Sequence, residues 1–291
     1  MKFAEWIKTQ ELSKNSVDQY RSNYNVLTKK AGLSLLKDPQ SKIISSLETL
    51  GYKPSTLRTI LATAVAFMSA HDIPVDKIVH YRTKLQREIY TAKAEANSSL
   101  ADGLPSSKKL LTHEQELFDN GNFRGFVVCC LLRLLHCRNL DLQLCLVRDR
   151  DRANKCPNGD NFIVIDDARK QLLIIRRRFK TSETYGTKRR VLAGKKLYSA
   201  ANKLLGEKDH EWLLVNKGGT KAKDSVLSRA VTQHTCQNLT EGAYNKILVS
   251  EVKSVKDFGK LKKISEERGT SMGVLLDNYH TDSTGQYFST P

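Results

Sequence analysis

The chain has 291 residues, 48 Lys and Arg against 31 Asp and Glu, and a formal net charge of +17. That length allows two domains of ordinary size, and a 40% hydrophobic content is enough for a real core. The charges are mixed along the chain, which excludes a disordered basic tail. The positive surplus favours a polyanionic partner, nucleic acid ahead of an anionic membrane surface or a ribosome.

The six cysteines are Cys129, Cys130, Cys137, Cys145, Cys156 and Cys236. They form no C-x-x-C and no paired His/Cys spacing, so no zinc site is expected. Four lie in one apolar stretch, where Cys acts as a small hydrophobe, and reduced core thiols are expected. No apolar run reaches the roughly 20 residues that span a bilayer. The opening MKFAEWIKTQELSKNS has no long apolar region, so no signal peptide is expected. The expectation is a soluble intracellular protein.

The first hundred residues read as short helices. Val17, Tyr20, Tyr24 and Leu27 fall on one helical face, and Gly32 stops that helix. SKIISSLETLGY predicts a second. Pro54-Ser55 opens a third, in which Leu57, Ile60, Leu61, Ala64, Phe67 and Met68 keep helical spacing up to Asp72-Ile73-Pro74. Residues 75–96 predict a long charged helix. Lys14, Arg21, Lys29, Lys53 and Arg58 sit on the polar faces, where they are solvated or meet phosphates.

ANSSLADGLPSSKKLLT has no periodicity and reads as an interdomain linker. Thr112 looks like an N-cap, with Gln115 three residues on. FRGFVVCCLLRLLHC is apolar almost all round and predicts a buried helix. NFIVIDD, QLLIIRRRF and KRRVLA are β-branched runs of strand length, with turns at Asn158-Gly159 and SETYG, and they predict a three-stranded antiparallel sheet. Helical reading resumes at GKKLYSAANKLLG. EWLLVN runs into a turn at Gly218-Gly219.

Three features bear on chemistry. Arg138 ends the buried helix with Asp141 three residues on, either a rigid fork suited to phosphate or a plain local ion pair. The hairpin RRRFKTSETYGTKRR is densely basic, either to reach a nucleic-acid backbone or to protect a solvated sheet edge. Tyr279 ends a short amphipathic helix near the C-terminus. It is a nucleophile only if cations help it, and otherwise a packed structural Tyr.

In this order the three motifs resemble the tyrosine recombinase superfamily, which holds phage-type integrases and type IB topoisomerases. The resemblance covers most of the chain. It implies a mainly α fold with a small antiparallel β-sheet: a helical core-binding, DNA-binding domain over 1–97, a linker over 98–109, and a catalytic-type domain over 110–291. LHCRNLDL is similar to the first-arginine motif, which makes Arg138 catalytic and Asp141 its supporting acid. The hairpin's Phe-Lys-Thr implies a catalytic Lys180. GTSMGVLLDNY is similar to the tyrosine motif, with Tyr ten residues after Gly, which implies Tyr279 as nucleophile.

Two positions depart from the family. Thr270 stands where its His usually follows the Gly. Gly242 and Asn245 stand where it carries His or Lys and then its second Arg. Lys246 is adjacent, about 100° around the helix from Asn245. Asn245, Lys246 and Thr270 therefore complete the catalytic candidates, and Arg176, Arg177, Arg178, Lys188, Arg189 and Arg190 are the DNA-binding ones.

The resemblance implies cleavage and rejoining of double-stranded DNA through a 3′-phosphotyrosyl link, with no metal or cofactor. It also implies a tetramer on DNA, and a DNA-associated or nuclear location in a divergent branch such as those of viruses or transposons. A DNA-binding scaffold that no longer cuts is the first alternative, and a type IB topoisomerase-like enzyme the second. A basic RNA- or membrane-associated helical protein, with coincidental motifs, is the third. Tyr287 in the polar tail is the reserve nucleophile.

Overall fold

The computed structural model describes residues 1–101, 103–155, 160–252 and 258–279. Asn158-Gly159, Cys156 and Tyr287 lie outside them. The chain divides into two compact units, Met1–Ala96 and Asn97–Pro291.

The first unit is helical: α1 (Phe3–Trp6), α2 (Lys14–Asn25), α3 (Gln40–Glu48), α4 (Pro54–Ser69) and the start of α5 (Asp76–Ala101). Ser13 caps α2 by accepting from the Ser16 N–H, and α2 runs on into a π-turn over Val26–Lys30. Leu57, Ile60, Leu61, Ala64, Phe67 and Met68 are all buried, as their spacing requires. Leu27 joins them, and Val17, Tyr20 and Tyr24 pack half-buried against the same core. Phe3 stacks on Tyr24 at 3.8 Å between ring centroids. The buried Asn23 amide is satisfied by the Thr59 carbonyl and the Thr63 hydroxyl.

The stretch expected as a linker, 98–109, is helical at both ends and non-helical over 103–106. α5 continues to Ala101 and α6 (Ser107–Asp119) begins soon after, capped by Ser106. Thr112 is thus inside α6, where its hydroxyl donates to the Lys108 carbonyl, and it is not the N-cap.

In the second unit α7 (Phe123–Leu135) runs through the core, with Val127, Val128, Cys129, Leu131, Leu132 and Leu135 inaccessible to solvent. A 3₁₀ turn at Asn139–Leu142 leads to β1 (Leu144–Val147), then α8 (Arg150–Lys155), β2 (Asn161–Asp166), β3 (Gln171–Arg176), α9 (Ser182–Tyr185) and β4 (Lys188–Ala193). α10 (Lys195–Leu205), β5 (Glu211–Trp212), α11 (Leu227–Thr232), α12 (Glu241–Ser250), α13 (Phe258–Arg268) and α14 (Met272–Tyr279) complete it.

The fold is mainly α with one small sheet, but that sheet is mixed and has five strands, in the order β4-β3-β2-β1-β5. β1 pairs in parallel with β2, and the other pairings are antiparallel. The three-stranded expectation missed β1 because all four of its residues are buried. A continuous apolar run carries no alternation to separate strand from helix. SETYG is likewise a one-turn helix, α9, rather than a simple turn.

Candidate functional site

α7 stops at His136, which takes a left-handed conformation (φ 48°) and swings the chain into the 3₁₀ turn. Arg138 is the first residue of that turn's cap. Its backbone N–H donates to Asp141 Oδ2 at 3.2 Å, and its Nη1 donates to the Arg268 carbonyl at 2.7 Å. The guanidinium is therefore anchored, but not by the acid the spacing suggested. The buried Asp141 carboxylate faces Arg176, whose Nη1 lies 3.4 Å away, and Arg176 Nη2 reaches Glu267 Oε2 at 2.9 Å. Burial raises the Asp141 pKa, against the pull of Arg176. Burial also lowers the Arg138 pKa, and the neighbouring Arg268 cation adds to that.

Tyr279 closes α14 and meets Arg268 at the end of α13. Arg268 Nη2 donates to the Tyr279 hydroxyl at 2.6 Å, and the guanidinium lies 4.5 Å from the ring centroid. The same Nη2 pairs with Glu241 Oε1, and Nη1 donates to the His136 carbonyl at 2.9 Å. Arg268 is 2% exposed. Burial alone would lower its pKa, but Glu241 and Tyr279 outweigh that and raise it.

Gly269 follows in a left-handed conformation (φ 65°), with Thr181 Oγ1 donating to its carbonyl at 2.9 Å. A Cβ at this position would stand 2.7 Å from Thr181 Oγ1, so only glycine brings the β3–β4 connection this close to the end of α13. Arg138, Lys180, Thr181, Tyr185, Arg268, Thr270 and Tyr279 line one cleft of about 470 Å³ within the second unit. Lys180 is exposed there, in the β3–β4 connection.

The cleft thus brings together Arg138, Lys180, Thr270 and Tyr279. It leaves out other candidates. Asn245 is fully buried, and its amide donates to the Glu241 carbonyl at 3.0 Å and to Glu241 Oε1 at 3.3 Å. Neither Asn245 nor Lys246 lines the cleft.

The basic hairpin divides in the same way. Arg176, expected to bind DNA, is 1% exposed and neutralised by two carboxylates, which suits a side chain at the inner end of β3. Lys188, another DNA candidate, is held by the Glu266 and Glu267 carbonyls and lies over the Phe179 and Tyr185 rings. Burial, followed by the Arg176 charge, lowers its pKa. Arg177 sits over the Phe162 ring, Arg178 pairs with Asp224 at 2.7 Å, and Arg190 pairs with Glu267 at 3.5 Å. Arg189 is exposed on the edge strand β4.

Sequence reasoning missed Arg268 and Glu241. A signal was present for the first: Leu261, Ile264, Ser265 and Arg268 share the buried face of α13 at i, i+3, i+4 and i+7. A charged residue in line with an apolar face needs a polar partner, and here Glu241 and Tyr279 supply it.

Among the described residues no cluster of His, Cys, Asp or Glu could hold a metal ion, and no helix is long and apolar enough to cross a membrane. No protein-family model matches the chain, and no curated protein matches it. Among solved structures it is similar to the XerA recombinase, at 12% identity and a TM-score of 0.39, over 97% of this chain and 93% of that one.

Proposed function

We propose that the second unit cleaves and rejoins DNA strands through a phosphotyrosyl intermediate, in the manner of a site-specific recombinase or integrase. The observation that carries this is the cleft itself: Arg138, Lys180 and Tyr279 come from three distant parts of the chain and line one cavity. A tyrosine hydroxyl among cations is what attack on a phosphodiester needs, because cations stabilise both the phenolate left when the hydroxyl loses its proton and the charge on the non-bridging phosphate oxygens.

In the proposed step the Tyr279 oxygen attacks phosphorus and a P–O bond forms to the phenol. The bond from phosphorus to the 5′ oxygen breaks, leaving a 3′-phosphotyrosyl link. The phenolic proton passes to solvent, and Lys180 protonates the departing 5′ oxygen. Arg138, fixed by the Arg268 carbonyl, forks onto the non-bridging oxygens. Attack by a second 5′-hydroxyl reverses the chemistry and rejoins the strands. One diester is exchanged for another, so no nucleotide hydrolysis is needed. The surplus of +17 supports a duplex partner held through its phosphates. The proposal extends to a helical DNA-binding role for the first unit and to four copies on the DNA.

The test is a nicked suicide duplex, from which the strand beyond the cut diffuses away and traps the intermediate. Wild type should give a covalent protein–DNA band on a denaturing gel, and Tyr279→Phe should give none. Duplex binding with no adduct in wild type overturns the cutting function and leaves a binding scaffold. Absent or salt-insensitive binding overturns both.

A further inference from the structure

The family resemblance calls for a second arginine at position 245, and the chain has Asn there. We propose that Arg268 supplies the missing guanidinium from a different element, with Glu241 as its positioning residue. This rests on the phosphotyrosyl reading of the same cleft.

The geometry runs as a chain of contacts. The Asn245 amide donates to the Glu241 carbonyl and to Glu241 Oε1. Glu241 Oε1 also takes Arg268 Nη2, and that same nitrogen donates to the Tyr279 hydroxyl at 2.6 Å. Asn245 therefore does not act on substrate. It steadies the first turn of α12, whose carboxylate holds an arginine arriving from the end of α13. An arginine at 245 would compete for the same carboxylate, and Arg268 would have no need to cross.

Two further observations point to the reacting atom rather than to packing alone. A plain structural ion pair needs only Glu241, yet the same Arg268 Nη2 also donates to the phenolic oxygen, and the guanidinium lies 4.5 Å from the ring centroid. Its backbone carbonyl also anchors Arg138 Nη1 at 2.7 Å, so one residue sets both the nucleophile and the other guanidinium. Arg268 keeps its own proton throughout. It stabilises the negative charge that develops on the Tyr279 oxygen as the phenolic proton leaves, from a buried position that costs no reorganisation at that moment.

Two other cations lining the cleft, Arg138 from the 3₁₀ turn and Lys180 from the β3–β4 connection, face solvent more than Arg268 does. Those two are suited to the phosphate and the leaving oxygen. Arg268, at 2% exposure, is suited to the nucleophile.

The test compares single-turnover adduct formation and duplex affinity in the full-length protein on the nicked suicide substrate. The variants are Arg268→Lys, Arg268→Met and the paired Glu241→Gln/Arg268→Met, which removes both charges of the pair together and protects the fold. Arg268→Met and the paired variant should lose roughly 100–1,000-fold in cleavage rate. Arg268→Lys, which keeps the charge without the fork, should recover part of that loss. Duplex affinity should change by less than about threefold, because a buried side chain adds little to the phosphate clamp.

The inference is overturned if the folded paired variant cleaves within about fivefold of wild type. It is equally overturned if the loss appears in duplex affinity instead of rate. A wild type that forms no adduct at all overturns the phosphotyrosyl reading and this inference with it. An adduct that forms equally well without Arg268 overturns this inference alone.

Discussion

Two glycines four residues apart, Gly269 and Gly273, make opposite predictions. Gly269 has φ 65°, and a Cβ there would stand 2.7 Å from Thr181 Oγ1 and 3.3 Å from both Lys188 Nζ and the Phe179 ring. Placing alanine in the left-handed region costs about 1–2 kcal/mol. Relieving the contact moves the Thr181 hydroxyl off the Gly269 carbonyl, which it reaches at 2.9 Å, and gives up about 0.5–1.5 kcal/mol more. Gly269→Ala should therefore lose about 1.5–3.5 kcal/mol, the sum of those two costs. Gly273 lies in the first turn of α14 with nothing within 4 Å of its would-be Cβ. Gly273→Ala should be neutral or gain up to about 1 kcal/mol, from a less flexible unfolded chain. Urea unfolding of the full chain, read as a shift in midpoint at constant slope, measures both. A Gly269→Ala loss under about 0.5 kcal/mol, or equal behaviour of the two variants, would refute the close approach of the β3–β4 connection to the end of α13.

The other predictions concern charge. Burial lowers both His136 and His234 to a pKa of about 4, so the unfolded chain protonates them first as pH falls below 6.5. Their stabilising share is complete above pH 6.5 and is lost toward pH 4, by roughly 1–2 kcal/mol each between pH 6.5 and 5. Thermal melts across that window should show the slope, and His136→Asn should remove about half of it. Arg176→Met leaves Asp141 and Glu267 without their buried partner and should cost about 3–5 kcal/mol by denaturant melt. Arg189→Ala should change stability by less than about 0.5 kcal/mol, yet lower the salt slope of duplex binding by about one unit. Glu114 receives Arg133 at 2.8 and 2.7 Å and the Tyr244 hydroxyl at 3.3 Å, so Glu114→Gln should cost about 3 kcal/mol in the same melt.

The helical faces were legible because burial imposes a period on the sequence. Leu57 through Met68 keep that period, and every one of the six is buried. α7 was legible for the opposite reason, being apolar on all sides. β1 was not, since a buried parallel strand has no alternation to read. The site was legible where a motif is local: Arg138, Lys180, Thr270 and Tyr279 do meet in one cleft. It was illegible where partners are chosen by tertiary approach. Asp141 lies three residues from Arg138, yet its carboxylate turns to Arg176, 35 positions away. Arg176 reads as part of a basic hairpin, but strand alternation sends it inward while its neighbour Arg177 stays half-exposed. Arg268 stood beside the tyrosine motif, and only its place on the apolar face of α13 marked it as more than a surface charge.

The central claim is that the Tyr279 oxygen becomes covalently joined to DNA. Trapping wild-type protein on a nicked suicide duplex, digesting with nuclease and protease, and locating the nucleotide-bearing peptide by mass spectrometry tests it directly. The account predicts one phosphotyrosyl peptide, carrying its modification at Tyr279. A modification at another residue such as Tyr287, or no covalent peptide from a protein that binds the duplex, would contradict it.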